Sequence, residues 1–316
     1  MISSMKKSLK KALKVSIIII TVFIVTSFIA TVIVYNSIFK RYDTDTQTMH
    51  LPASSQNVEE YTVHNYPSGK NILEGYLYKT GSSDSLVVVV PGFRSETDDF
   101  IPYVNSFCEN GMDVFTFDCT GHGESTGNSA KGFPQIITDL DATLKYIDEN
   151  TDYKNIYLFG HSRGAYAACC SLKDHPEITK VVSVNGVDKS MDAIMAYSYN
   201  TVGPVCYVNY PFLWMYQAML FGAELTERSA VECISQSDIP VMVIQGSNDE
   251  TLSKGDFSIY SSGSKCPSDN VEYVLYTQPN HDGHTSILYD GDKANQKIVA
   301  LAVDFFKNTS KENKQI

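Results

Sequence analysis

Asn155-Ile156-Tyr157-Leu158-Phe159-Gly160-His161-Ser162-Arg163-Gly164-Ala165-Tyr166-Ala167-Ala168-Cys169-Cys170 decides how this chain folds. Ile156–Phe159 is a short apolar run of strand-forming residues, and Ala165–Leu172 has a helical pattern. Between them, two glycines flank His161-Ser162-Arg163. A strand that runs into a helix across one serine needs a sharp, strained turn, and a side chain at either glycine would crowd the neighbouring strand or helix. A bare G-x-S-x-G pattern is weak, but in a strand, turn and helix context it presents the serine hydroxyl at the tip of an elbow. Ser162 is therefore the candidate nucleophile.

A hydroxyl is a poor nucleophile at neutral pH; it needs a base to take its proton and an acid to orient that base. Downstream, the apolar run Val241–Gln245 is followed by Gly246-Ser247-Asn248-Asp249-Glu250. Asp249 is the candidate acid and Glu250 the alternative. After the next apolar run, Val271–Tyr276, the loop Gln278-Pro279-Asn280-His281-Asp282-Gly283-His284 offers two imidazoles, one of which is the base. His284 is preferred over His281. Gly283 permits a tight backbone approach and Ile287 and Leu288 anchor the chain after it, whereas Asp282 points to a solvated turn for His281.

The same alternation extends in both directions. Tyr61–His64 and Ile72–Tyr78 read as an entering hairpin. Ser85–Val90, Met112–Asp118, Asn155–Gly160, Lys180–Asn185, Ile239–Gly246 and Val271–Tyr276 read as buried strands. Helical stretches lie at Asp98–Asn110, Pro134–Glu149, Arg163–Lys173 and Lys293–Lys307. Strand–helix repetition with near-continuous Val/Ile/Leu strands implies an α/β fold: a mostly parallel, doubly wound sheet covered on both faces. About fifty residues between Asn185 and Ile239 break the rhythm. This insertion, roughly 187–236, is rich in Tyr, Met and Phe and reads as a helical cap, whose aromatics either bury the cap against the body or line an apolar substrate pocket.

The two ends of the chain differ in character. The first 41 residues carry seven basic side chains and no acid, so against a net charge of -11 the remainder carries -18. Val15–Phe39 is a 25-residue stretch without charge, long enough to cross a hydrocarbon core. It outlasts a secretory apolar core and lacks an Ala-x-Ala end, which favours an uncleaved anchor over a cleaved signal peptide and a secreted enzyme. Five lysines before the span keep the N-terminus cytoplasmic and send the bulk of the chain across. Residues 42–56 read as a polar linker, with the folded domain from 57 to 316. An acidic ectodomain argues against a nucleic-acid partner. Seven cysteines, an odd number without regular spacing, do not form a disulfide framework. No metal-ligand spacing, P-loop or G-x-G-x-x-G fingerprint is present, so no metal, nucleotide or redox cofactor is implied. The sequence leaves the oligomeric state open.

The order Ser162, Asp249, His284, the elbow and the alternation from about residue 60 to 307 resemble the α/β-hydrolase superfamily. Val89-Val90-Pro91-Gly92-Phe93-Arg94 is similar to its oxyanion loop, with Pro91 where a histidine is common. Asp118-Cys119-Thr120-Gly121-His122-Gly123-Glu124-Ser125 is similar to its Asp-x-Arg-Gly-His-Gly-x-Ser loop, with Thr120 in the arginine's place. The resemblance implies an oxyanion hole made by the backbone N–H groups of Phe93 and Arg163. The Arg163 side chain is expected to be solvated or to touch the cap, and His122 and His161 to serve their turns. A serine at the elbow disfavours dehalogenases, which use aspartate. The expected activity is hydrolysis of a carboxylic ester, small or lipid-like, through an acyl-enzyme. Peptidase or amidase action with the same residues is the alternative, and a binding ectodomain without turnover a third reading.

Overall fold

A computed structural model of the protein describes residues 2–42, 58–81, 83–252, 257–265 and 268–308. The linker expected at 42–56 lies outside these residues except for Tyr42, and so does Cys266. The strands of the main sheet are β1 (Glu60–Ser68), β2 (Asn71–Lys79), β3 (Ser85–Val90), β4 (Asp113–Phe117), β5 (Asn155–His161), β6 (Ile178–Val184), β7 (Val241–Gly246) and β8 (Val271–Tyr276). Their spatial order is β1-β2-β4-β3-β5-β6-β7-β8. β1 and β2 form the antiparallel hairpin, β2 meets β4 antiparallel, and every later pairing is parallel.

The parallel strands are buried on both faces, so their alternation sorts side chains between two cores rather than between core and water. Leu86, Val88 and Val90 of β3 join one core with Leu158, Val181 and Val243. The helices α3 (Gln135–Asn150), α4 (Arg163–Cys170) and α7 (Ala230–Ser235) cover this face, with α8 (Ile259–Gly263) beside them. Val87 and Val89 join the other core with Phe159, Val182 and Ile244, under α2 (Ile101–Glu109) and α9 (Gln296–Lys307). Two helix starts differ from the sequence expectation for local reasons. The stretch from residue 98 opens with a tight turn at Thr97–Phe100 before α2 begins beside Pro102. Lys293 and Ala294 pair with β9 (Tyr289–Asp290) as β10, and α9 begins only after Asn295, whose side chain accepts from the Lys297 N–H and caps it.

Between β6 and β7 the insertion forms α5 (Ser190–Val202), α6 (Cys206–Glu227) and α7. Met191, Ile194, Met195, Cys206 and Leu213 are buried against the body. Some of its aromatics do neither of the things expected of them: Tyr199 and Tyr207 are exposed, as are Met215 and Met219.

The N-terminal helix α1 (Ile2–Ile38) is long and apolar enough to cross a membrane. Its last turns belong by packing to the body. Tyr35 and Phe39 are each 2% exposed and sit in the core. The Tyr35 hydroxyl donates to Gln217 of α6, and Asn36 donates to the Tyr216 hydroxyl at 2.7 Å. Just beyond, the Arg41 guanidinium donates to the carbonyls of Ser125 and Gly127, at 2.8 and 3.0 Å, and to that of Gly123. The Phe39 carbonyl accepts from Ala130 N–H and the Ser129 hydroxyl. The body thus recruits residues ahead of position 57. If this docking is intact in solution, Phe39→Ala should lower the unfolding free energy of the purified chain by about 3 kcal/mol, the usual cost of deleting a buried phenylalanine. Denaturant titration reads it, and a tether without packing would show no change.

Candidate active site

All the loops that carry the expected site residues leave the carboxyl ends of parallel strands, where open α/β sheets hold their ligands. Ser162 follows β5 with φ 54° and ψ -115°, a conformation that a residue with a Cβ adopts only under strain. Two close approaches hold it there. A Cβ on Gly160 would meet the backbone of Gly164 at 2.6 Å, and one on Gly164 would meet the Val90 carbonyl oxygen at 2.1 Å. The first turn of α4 therefore lies directly against the end of β3, and the Ser162 N–H is tied to the Val184 carbonyl of β6 at 2.9 Å.

The structure brings Ser162, His284 and Asp249 into one line. Ser162 Oγ lies 2.9 Å from His284 Nε2, and His284 Nδ1 lies 2.9 Å from Asp249 Oδ2. Since the carboxylate only accepts, the proton is assigned to Nδ1, which leaves Nε2 to accept from the serine hydroxyl. Asp249 is 2% exposed, and its other contacts come from the Gln245 amide to Oδ2 and the Thr251 and Leu252 N–H groups to Oδ1. Burial alone would raise its pKa, but the hydrogen bonds and charge of His284, with those of Leu252 and Gln245, hold it below the ordinary carboxylate value. The alternative acid, Glu250, instead accepts from the backbone N–H of His284 at 3.1 Å. His281 Nδ1 contacts the Tyr289 carbonyl at 3.0 Å, away from Ser162. The turn around it is not solvated as expected: Asp282 is 5% exposed and accepts from Ser247 Oγ and Asn248 Nδ2, both at 2.7 Å.

Several positioning residues escaped the sequence reading. Asn185, at the end of β6, is fully buried with φ 47°. Its amide nitrogen donates to the carbonyls of Gly283 and His284 at 3.1 and 2.9 Å, and its oxygen accepts from Gly246 N–H at 2.7 Å. One side chain thus stitches the base loop to the acid loop. His161 was expected to serve its own turn; its Nε2–H also donates to the His284 carbonyl at 2.8 Å. Burial, then the neighbouring His284, pushes its pKa down to about 3, so it stays neutral. An asparagine after a strand and before a glycine is a visible signal, but its partners lie 61 to 99 residues away and no local pattern names them.

Phe93 follows the end of β3, and Arg163 opens α4, where a first-turn N–H lacks an intrahelical partner. The Arg163 side chain corrects the solvated reading. It is fully buried, donates to the carbonyls of Phe133 and Gly132 at 3.0 and 2.7 Å, and lies between the rings of Phe93 and Phe133. The Asp118 carboxylate joins the two neighbouring loops by accepting from Thr97 N–H and Glu124 N–H. Phe93 also packs edge-on against Phe39, so the end of α1 touches the candidate oxyanion loop. A separate apolar cavity of about 210 Å³ lies between α1 and the cap, lined by Val34, Ile38, Met195 and Leu213 among others. Ser162, Asp249 and His284 do not line it.

His161 makes the site acid-sensitive in a definite window. In the unfolded chain it takes up a proton near its ordinary 6.5, but in the folded chain only near 3. Between those values the unfolded state binds more protons, so stability falls as pH falls, by at most about 5 kcal/mol. Denaturant melts of His161→Gln should show a flatter decline across that window than the parent chain. The Asp249 contribution is separate: its pKa is depressed, so it is lost only at lower pH, as the carboxylate protonates. Equal slopes for parent and variant would show that His161 is not held neutral.

Comparison with known proteins bears on the fold. Residues 81–196 match the family model described as serine aminopeptidase, S33. No curated protein matches the chain. Among solved structures, an esterase of Pyrococcus furiosus is similar with TM-score 0.62 at 19% identity, covering 85% of this chain and 98% of its own. A Butyrivibrio proteoclasticus protein, Est1E, solved with ferulic acid bound, gives TM-score 0.57 at 18% identity, covering 77% of this chain and 97% of that one. A Mycobacterium smegmatis proline iminopeptidase gives 0.55 at 14%, covering 78% and 97%. The chain thus has the fold of the α/β hydrolases, and residues 81–196 within it match a serine aminopeptidase family model.

Proposed function

We propose that the protein hydrolyses carboxylic esters, small or lipid-like, through an acyl-enzyme on Ser162, and that α1 anchors it in a membrane with the catalytic domain on the far side. The observation that carries the chemistry is the pair of 2.9 Å contacts running from Ser162 Oγ through His284 to Asp249. In this reading Ser162 Oγ attacks the ester carbonyl as its proton passes to His284 Nε2. Asp249 keeps the imidazole in the correct tautomer and stabilises its charge. The N–H groups of Phe93 and Arg163 hold the oxyanion, an interaction whose loss typically costs about 3–4 kcal/mol. The imidazolium then gives its proton to the departing alcohol. A water, deprotonated by the same nitrogen, attacks the acyl-serine and releases the acid.

The ester preference is supported by the likeness to the Pyrococcus furiosus esterase and to a protein solved with ferulic acid bound. Amide cleavage is the second reading, favoured by the aminopeptidase description of the matched family model. Assays on paired ester and amide substrates of the same acyl group separate them; faster amide turnover would reverse the preference.

A fluorophosphonate probe should label Ser162 covalently and leave Ser162→Ala unlabelled, since only an activated hydroxyl reacts. Persistent labelling of the variant would remove Ser162 from the reaction. His284→Ala should cut turnover by roughly 10³-fold or more with the fold intact, and His281→Ala far less. The reverse order would move the base to position 281.

A further inference from the structure

From Ala193 to Ala223 the chain runs 31 residues without a charged side chain, although the part of the protein beyond residue 41 carries a net charge of -18. This is most of α5, the turn after it and most of α6; Ile194, Met195, Cys206 and Leu213 face the core, but much of the rest does not. Val202, Val205, Tyr207, Val208, Met215 and Met219 are between 41 and 69% exposed. A water-facing cap of this size would leave an apolar surface that soluble monomers rarely show.

The packing of α1 fixes where that surface lies. If hydrocarbon begins after Lys14, about 20 residues at a 1.5 Å rise exhaust its roughly 30 Å near Val34. Phe28 then lies about 20 Å along the span, and so about 10 Å inside the far boundary. Yet the Phe28 ring packs edge-on against Tyr216 of α6, with centroids 6.3 Å apart. Thr31 of α1 is buried, and Tyr35 and Asn36 are hydrogen-bonded to Gln217 and Tyr216. If α1 spans, the middle of α6 cannot stand in water; its depth is the 5–10 Å typical of a helix lying in the interface. Exposed Ile29 and Ile33 of α1 extend the same apolar surface. Tyr197, Tyr199, Tyr207, Tyr210 and Trp214 supply the aromatic character of a headgroup belt.

We infer that the exposed face of α5 and α6 is embedded in the far leaflet of the bilayer that α1 crosses, so that the enzyme draws its substrate laterally from the lipid. The inference rests on the spanning role proposed for α1. It orients the site as well: Phe39, at the end of α1, packs on Phe93, so the candidate oxyanion loop sits at the membrane-facing end of the domain.

Trp214, the only tryptophan in the chain, lies on α6 and provides the test. The full chain is reconstituted in phosphatidylcholine vesicles with and without bromine atoms on the acyl chains. Embedding should produce a roughly two-fold or greater loss of Trp214 emission with the brominated lipid. The double variant Met215→Asp/Met219→Asp should stay in carbonate-washed vesicles through α1, lose that quenching and keep its turnover of a water-soluble ester, while hydrolysis of a vesicle-borne lipid ester falls roughly ten-fold. Release of the parent chain by carbonate would overturn both the span and the embedded cap. Retention without quenching would overturn the embedded cap alone. Unquenched Trp214 with a detergent-stable dimer that the double variant splits would assign the face to a second copy of the chain, and overturn it equally.

Discussion

The close approach of α4 to the end of β3 is the constraint on which the rest of this molecule depends. Gly164 sits where any Cβ would strike the Val90 carbonyl, and Gly160 where one would strike Gly164. Those two absences let the chain reverse from strand to helix through a single left-handed residue. They also put the free N–H groups of the α4 N-terminus beside the β3 loop. A nucleophile elbow is therefore a packing solution first: the strain at Ser162 is stored because the buried parallel sheet on one side and α4 on the other leave no relaxed alternative.

Around that point the sheet converts distant sequence into near neighbours. The loops that carry Asp249 and His284 descend from β7 and β8, and their mutual register is set by polar contacts outside the line from Ser162 to Asp249. Asn185 spans the gap from β6 to both loops, and Asp282 fastens the base loop to Ser247 and Asn248. A Cβ on Gly246 would meet the Asp282 carbonyl oxygen at 2.3 Å, so here too a glycine marks a close crossing of backbones. Preorganisation of this kind matters because misplacing a base by about 1 Å costs on the order of a hundred-fold in rate.

The N-terminal helix joins two physical regimes. Its first turns carry five lysines, and from Val15 to Val34 it exposes a charge-free, largely apolar surface. Its last turns contribute Tyr35 and Phe39 to the core that supports Arg163 and Phe93. The end of α1 and the body are thus one packed unit, joined to α6 through Tyr216 and Gln217.

By itself the sequence determined the doubly wound architecture, the elbow at Ser162 and the short list of acid and base candidates. These follow from local patterns: buried strands between helical stretches, glycines at a strand–helix junction, carboxylate and imidazole on loops after strands. Only the tertiary structure decided that Asp249 rather than Glu250 reaches the imidazole, and that His284 rather than His281 reaches the serine. Neighbours one and three positions apart in a loop differ by orientation, and long-range contacts such as Asn185 to Gly283 set that orientation. The same holds for Arg163, whose charge suggests solvent although two main-chain carbonyls and two aromatic rings enclose it. It holds too for α1, because a charge-free helix reads identically whether its final turns hang in a linker or close a core.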